Sequence, residues 1–182
     1  MATLTPLYTA NPTSDPAEIK ALLATLGIEF ETWALPARAQ ELAAQSRLGD
    51  AEKAELLTLF QEKLHEKAAT AGYRSADVVA IRPDLPGVDE ALAKFDKVHF
   101  HDDDEVRAIV GGEGVFGVVG DDGRQVLLTL RAGEYISLPA GIWHWFYCLD
   151  SKNVTALRLF KDNPSWVARY RGVDRGVPPN AS

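Results

Sequence analysis

Apolar and polar positions change their period about midway along this chain. In the first half the period is helical. Asp15-Pro16-Ala17-Glu18 offers an N-cap, a proline at the first helical position and an acidic residue placed to reach back to the cap. Ile19, Leu22, Leu23 and Leu26 follow at helical spacing, and Gly27 can close the helix in a left-handed conformation. Ile28-Glu29-Phe30-Glu31-Thr32-Trp33 alternates apolar and polar residues, which predicts a half-buried strand. A second helix is predicted from Asp50 to Thr70, with Leu56, Leu57, Phe60 and Leu64 as its buried stripe and Gly72 as its stop. Tyr73 to Ile81 mixes turn and strand signals. Arg82-Pro83-Asp84-Leu85-Pro86-Gly87 is the clearest break, and a brief helix from Val88 to Phe95 leads on from it.

From Lys97 the pattern becomes short strands separated by glycine-bearing turns. Val115–Val119, Gln125–Leu130, Tyr135–Leu138, Ile142–Cys148 and Val154–Phe160 read as strands. Gly111-Gly112-Glu113-Gly114 and Asp121-Asp122-Gly123 read as turns. Many short antiparallel strands with no helix between them predict a jelly roll or barrel. The expected organisation is one domain over residues 1–182. It has a helix-rich N-terminal part (1–88), a β-barrel core (89–166) and a C-terminal tail (167–182) ending in Gly176-Val177-Pro178-Pro179. No internal repeat or low-complexity segment interrupts it.

Composition narrows the function classes. With 46% hydrophobic residues the chain can bury a core without staples. A net charge of −7 and no run of Lys and Arg argue against nucleic acid as a partner. No apolar stretch approaches the roughly 20 residues needed to span a bilayer. Met1-Ala2-Thr3-Leu4-Thr5 lacks a charged leader with a long apolar segment, and the one cysteine makes no internal disulfide. A soluble, cytoplasmic, monomeric protein is expected.

The chemistry lies in three of the four histidines. His99, His101 and Glu105 share parity, so along one strand they point to one face. His144 follows near the end of the next long apolar stretch. Imidazole and carboxylate together suit a divalent transition metal such as iron, nickel, copper or zinc. Arg107 has the same parity and can face the same cavity, where a fixed guanidinium favours an anionic substrate. Its alternative is a structural salt bridge with Glu113 or with Asp102, Asp103 or Asp104.

These residues resemble the two motifs of the cupin superfamily. His99-x-His101-x-x-x-Glu105, six residues and then Gly112 is similar to the first; Gly133, five residues, Pro139-Ala140-Gly141, two residues and His144 is similar to the second. Ala93 stands where the first motif opens with glycine, and Cys148 where the second often ends with asparagine; neither is a ligand position. The wording is narrower still. His99-Phe100-His101-Asp102-Asp103-Asp104-Glu105-Val106-Arg107, Pro139 to Phe146 and Phe160-Lys161-Asp162-Asn163-Pro164-Ser165-Trp166 resemble the acireductone dioxygenase family of methionine salvage.

That resemblance implies a cupin-type double-stranded β-helix (jelly roll) with packed α-helices. It implies one divalent metal, Fe(II) or Ni(II), held by His99, His101, Glu105 and His144. It also implies cleavage of 1,2-dihydroxy-3-keto-5-methylthiopentene by O2. In the family the iron form gives formate and 4-methylthio-2-oxobutanoate, and the nickel form gives carbon monoxide, formate and 3-methylthiopropanoate. Arg107 is expected to bind substrate. Arg158 is expected to add positive potential, and Phe95, Phe146 and Trp166 to wall the methylthio end.

Plainer readings cover the remaining residues. Asp102, Asp103 and Asp104 read as a solvated acidic turn, His65 as a surface residue, and Cys148 as a small buried hydrophobe. Trp143, Trp145 and Tyr147 read as core or interface aromatics. Two other functions fit the motifs: another cupin oxygenase or isomerase, and a metal-dependent small-molecule binding module without turnover.

Overall fold

The computed structural model describes residues 1–7, 11–161 and 167–170. Among them the chain order is β1 (Thr3–Pro6), α1 (Pro16–Ala24), β2 (Glu29–Thr32), α2 (Ala37–Ala43), α3 (Asp50–Leu59) and α4 (Gln61–Ala71). Then follow β3 (Ser75–Ile81), α5 (Val88–Phe95), β4 (His99–Phe100), β5 (Glu105–Val119), β6 (Gln125–Arg131), β7 (Glu134–Leu138), β8 (Trp143–Cys148), β9 (Val154–Phe160) and β10 (Arg169–Tyr170).

Local chemistry accounts for the helix ends. Asp15 Oδ1 accepts from the backbone N–H groups of Ala17 (2.8 Å) and Glu18 (2.9 Å), capping α1. Glu18 turns to the Thr13 hydroxyl (2.6 Å) instead of closing a capping box on Asp15. Gly27 and Gly72 take the left-handed conformation beyond their helices (φ 71° and 79°). The single helix predicted from Asp50 to Thr70 is two, broken at Phe60, whose backbone leaves the helical region (φ −108°, ψ 12°). The break lets both halves reach the same sheet. Leu56 of α3 enters the apolar layer, while Lys67 of α4 pairs with Glu29 (3.0 Å) and Glu31 (2.6 Å) on β2.

Two antiparallel sheets share β5. One runs β1-β6-β5-β8-β4-β10 and the other β2-β7-β5-β9-β3. The first half of β5 pairs with β7 and β9, and the second half with β6 and β8. Gly111–Gly114 is therefore no turn. It lies inside β5 where the strand passes from one sheet to the other, next to a register shift between Ile109 and Gly111. Glycine marks bulges as well as turns, and the pattern alone does not separate them. Gly112 has φ 72°, and a Cβ there would lie 1.8 Å from the Asn153 carbonyl oxygen.

Alternation sorts each strand onto two apolar layers. Ile109, Phe116, Leu128, Ile136, Val154 and Ala156 face the interior between the sheets. Val106, Ala108, Val110, Tyr135, Leu157 and Leu159 face outward under α2, α3 and Phe60. The second sheet is thus buried on both faces, which makes the jelly roll that the patterning predicts, with the packed helices that the resemblance implies. The N-terminal half also contributes strands: β1 pairs with β6, β2 with β7 and β3 with β9. Residues 169–170, expected in a tail, form β10 and pair with His99 and Phe100; residues 171–182 lie outside the described set. No helix among the described residues is long and apolar enough to cross a membrane.

Candidate metal centre

His99, His101, Glu105 and His144 come together, with one ligand atom from each lying within 4.8 Å of all the others. Strand parity is not what unites them. β4 ends at Phe100, residues 101–104 turn, and Glu105 opens β5 in the other sheet. His99 and His144 are cross-strand partners on β4 and β8, and His101 lies on the turn between β4 and β5. The centre sits where the two sheets meet. All four residues are buried.

Backbone carbonyls orient the rings. His99 Nδ1 lies 2.6 Å from the Lys97 carbonyl, His144 Nδ1 2.9 Å from that of Ile142, and His101 Nδ1 3.3 Å from that of Val167. A neutral imidazole that donates Nδ1–H to a carbonyl keeps a lone pair on Nε2. Burial, with His144 alongside, pushes the His99 pKa down to about 4, so this ring is neutral at pH 7. Its Nε2 is buried without a hydrogen-bond partner. The Nε2 atoms of His101 and His144 each lie 3.0 Å from the same Glu105 oxygen, Oε2.

Burial opposes ionisation of Glu105, yet the Arg107 guanidinium beside it holds its carboxyl well below the usual carboxylate range. A ring that gives its Nδ1–H to a carbonyl turns the Nε2 lone pair toward that ionised oxygen, an arrangement that a cation between them makes favourable. The 3.0 Å spacings match neighbouring donors on an octahedral ion with bonds of about 2.1 Å. The residues fit a divalent transition metal.

A cavity of about 70 Å³ opens beside Glu105. Arg107, Arg158, Phe95 and Phe146 line it, together with Ile109 and Ala156. Arg107 reaches Glu105 Oε1 (3.0 Å) and donates to the Val106 carbonyl (2.9 Å), while Glu113 is taken by Arg131 (3.0 Å). Burial lowers the Arg107 pKa to about 10, which leaves it a cation at neutral pH. Arg158 stands across from Arg107 in the strand register and grips Asp77 through two hydrogen bonds (2.7 and 2.5 Å). Phe95, 42% exposed, stands at the mouth of the cavity. Trp166 lies outside the described residues.

The acidic turn departs from its expected character. Asp102 pairs with Arg169 (2.5 Å), but Asp104, with a side chain only 16% exposed, holds Lys161 (2.6 Å), the Tyr73 hydroxyl (3.0 Å) and the Ala140 N–H (3.2 Å). Patterning also missed the carbonyls of Lys97, Ile142 and Val167, because main-chain acceptors leave no mark in side-chain identity. His65 is exposed on α4, and Trp145 is buried in the sheet against Gly117. Burial pushes the Cys148 thiol up to about 11, away from reactivity at neutral pH.

Comparison with known proteins agrees with this geometry. The ARD/ARD' family profile matches residues 11–168. A protein of Leptospira interrogans serogroup Icterohaemorrhagiae serovar copenhageni, named acireductone dioxygenase, is 39% identical over 170 residues, covering 93% of this chain and 96% of its own length. One of the same name from Microcystis aeruginosa is 40% identical over 155 residues, 85% of each chain. Among solved structures, an acireductone dioxygenase from Bacillus anthracis with a cadmium ion in its active centre superposes with a TM-score of 0.86 at 32% identity, covering 93% of this chain and 98% of that one. The profile spans most of the chain and the relatives align nearly end to end; this protein belongs to the ARD/ARD' family.

Proposed function

We propose that this chain is an acireductone dioxygenase that cleaves 1,2-dihydroxy-3-keto-5-methylthiopentene with O2. The observation that carries the reading is the convergence of three imidazoles and an ionised carboxylate beside a cavity lined by two guanidiniums. Bound to His99, His101, Glu105 and His144, one Fe(II) or Ni(II) ion supplies Lewis acidity and coordination positions that the protein does not fill. The family membership and the cadmium in the active centre of the Bacillus anthracis protein support that assignment.

The chain's own residues bind and orient the substrate. Arg107, next to Glu105, attracts the enediolate and favours loss of the enediol proton, since a neighbouring cation stabilises the anion. Arg158 adds a second positive group across the cavity, held in place by Asp77. Phe95, Phe146, Ile109 and Ala156 give the methylthio end an apolar wall. In this reading the iron-loaded chain gives formate and 4-methylthio-2-oxobutanoate, and the nickel-loaded chain gives carbon monoxide, formate and 3-methylthiopropanoate. Both sets account for every atom of substrate and O2. In this reading the chain works as a single-domain monomer in the cytoplasm, a reducing compartment that its one cysteine fits.

The test is direct. The metal-free chain is loaded with Fe(II) or Ni(II), given freshly generated acireductone and O2, and compared with a His101→Ala control. Loss of substrate accelerated by one of the metals, with matching products and an inactive control, is expected. No acceleration with either metal contradicts the proposal, and binding without turnover makes the chain a small-molecule binding module.

A further inference from the structure

Beside the turn that carries His101, four segments of the fold, that turn included, meet at one carboxylate. Asp104 Oδ2 accepts from the Tyr73 hydroxyl (3.0 Å) and lies 2.6 Å from Lys161 Nζ, while Oδ1 accepts from the Ala140 N–H (3.2 Å). Tyr73 shares a second hydrogen bond with Ser137 Oγ (3.0 Å), and the Lys161 ammonium stands 5.7 Å from the Tyr73 ring centroid. Tyr73 is 5% exposed and Ser137 8%, so the Tyr73 side of this network is sheltered from water, while Lys161 closes it from the surface. A mostly buried carboxylate with three donors, one of them charged, resists reorientation.

What it joins matters more than what it contains. Asp104 ends the turn that begins at His101, and Glu105 follows it directly. Ala140 sits in the turn before β8, four residues ahead of His144. The two turns touch twice: Gly141 N–H donates to the His101 carbonyl (2.9 Å), and Ala140 N–H donates to Asp104. Three of the four candidate ligands hang from these turns, and Asp104 is the one side chain among the described contacts that spans both. An acidic residue in an exposed turn would hold nothing of this kind.

We propose that Asp104 is a positioning residue for the metal centre: held by Tyr73, Lys161 and the Ala140 N–H, its carboxylate clamps the two turns that carry His101, Glu105 and His144, so their donor atoms face one another before an ion arrives. Preorganised ligands bind a metal more tightly than ligands that must be gathered, and supporting hydrogen bonds of this sort are worth about 10- to 100-fold in metal affinity. The inference rests on the metal-binding part of the proposed function and is independent of acireductone turnover.

The full chain, stripped of metal, is titrated with Ni(II) against a chromogenic chelator, and melting of the metal-free protein is followed in parallel. Asp104→Asn keeps an oxygen for the Ala140 N–H but turns an amide NH2 towards Lys161 and Tyr73; Asp104→Ala removes every contact. The Ni(II) dissociation constant is expected to rise about 10- to 100-fold in Asp104→Ala and less in Asp104→Asn. Excess Ni(II) should restore the wild-type electronic spectrum in both, because the donor set is unchanged. Tyr73→Phe, which leaves the carboxylate in place, should raise the constant a few-fold and carries the test together with Asp104→Asn should Asp104→Ala not fold. Dissociation constants within about twofold of wild type in the folded variants overturn the proposal, even if melting temperatures drop, since that is the behaviour of a purely structural brace. A wild-type chain that binds no Ni(II) overturns this inference and the proposed function together. Weakened Ni(II) binding in the variants, alongside a wild type that turns over no acireductone, upholds the clamp and removes only the enzymatic reading.

Discussion

Arg107 is the residue on which binding and chemistry divide. Its guanidinium lies 3.0 Å from Glu105 Oε1 and lines the cavity, so it adjoins both a ligand of the proposed metal site and the space proposed for substrate. If its main role is to stabilise an anionic substrate, Arg107→Ala should lower turnover by about 100-fold or more, the scale for losing a preorganised electrostatic partner. Bound metal at saturating Ni(II) should stay near one ion per chain. Elemental analysis of the variant alongside steady-state rates checks this, and a parallel loss of metal would make Arg107 a structural partner of Glu105. Arg107→Lys should recover only part of the rate, because an ammonium lacks the planar fork that addresses two oxygens at once.

Two elements carry predictions that owe nothing to the active site. β5 crosses between sheets at Gly112, where φ is 72° and an added Cβ would meet the Asn153 carbonyl oxygen at 1.8 Å. Backbone stands on both sides of that contact, so relief requires moving a strand. Gly112→Ala should therefore destabilise the fold by about 2 kcal/mol or more, measured by chemical denaturation. The second element is the α4–β2 contact. Lys67 is 2% exposed, pairs with Glu29 and Glu31, and lies 4.5 Å from the Tyr135 ring centroid. Burial alone would raise the Glu31 pKa, but the hydrogen bonds from Lys67 and Trp33 and the charges of Lys67 and Lys63 outweigh it and lower the value. A carboxylate depressed on folding adds stability above its unfolded pKa near 4.5, and that stability is lost as pH falls through the lower folded value. Melting temperature should thus fall on acidification below pH 4.5 more steeply in the wild type than in Glu31→Gln. Equal slopes would mean that Lys67 does not hold Glu31 ionised.

At the level of the whole molecule, what the sequence reveals and what it hides have different physical origins. Ligand identity is readable because donor atoms belong to side chains: His99, His101, Glu105 and His144 are the only grouping of that kind found among the described residues. The reason for their convergence is not readable. Alternation along one strand predicts a common face for His99, His101 and Glu105, whereas the chain turns at 101–104 and delivers Glu105 from the opposite sheet. A helix such as α1 declares itself through its own period, and a strand such as β9 through a nearly continuous apolar run. Short strands such as β1, β4 and β10 exist only because partners hydrogen-bond to them, and two to four residues carry no period. The acidic turn shows the same limit, since nothing local distinguishes Asp102, paired at the surface, from Asp104, enclosed by Tyr73 and Lys161. The central claim is that one ion joins both sheets and still leaves room for substrate. X-ray absorption of the Ni(II)-loaded chain, without O2 and before and after acireductone is added, tests it most directly. One six-coordinate nickel per chain with three imidazoles, whose remaining oxygen donors change when acireductone binds, is predicted. A nickel closed by protein groups alone, with a spectrum that acireductone leaves unaltered, would contradict it.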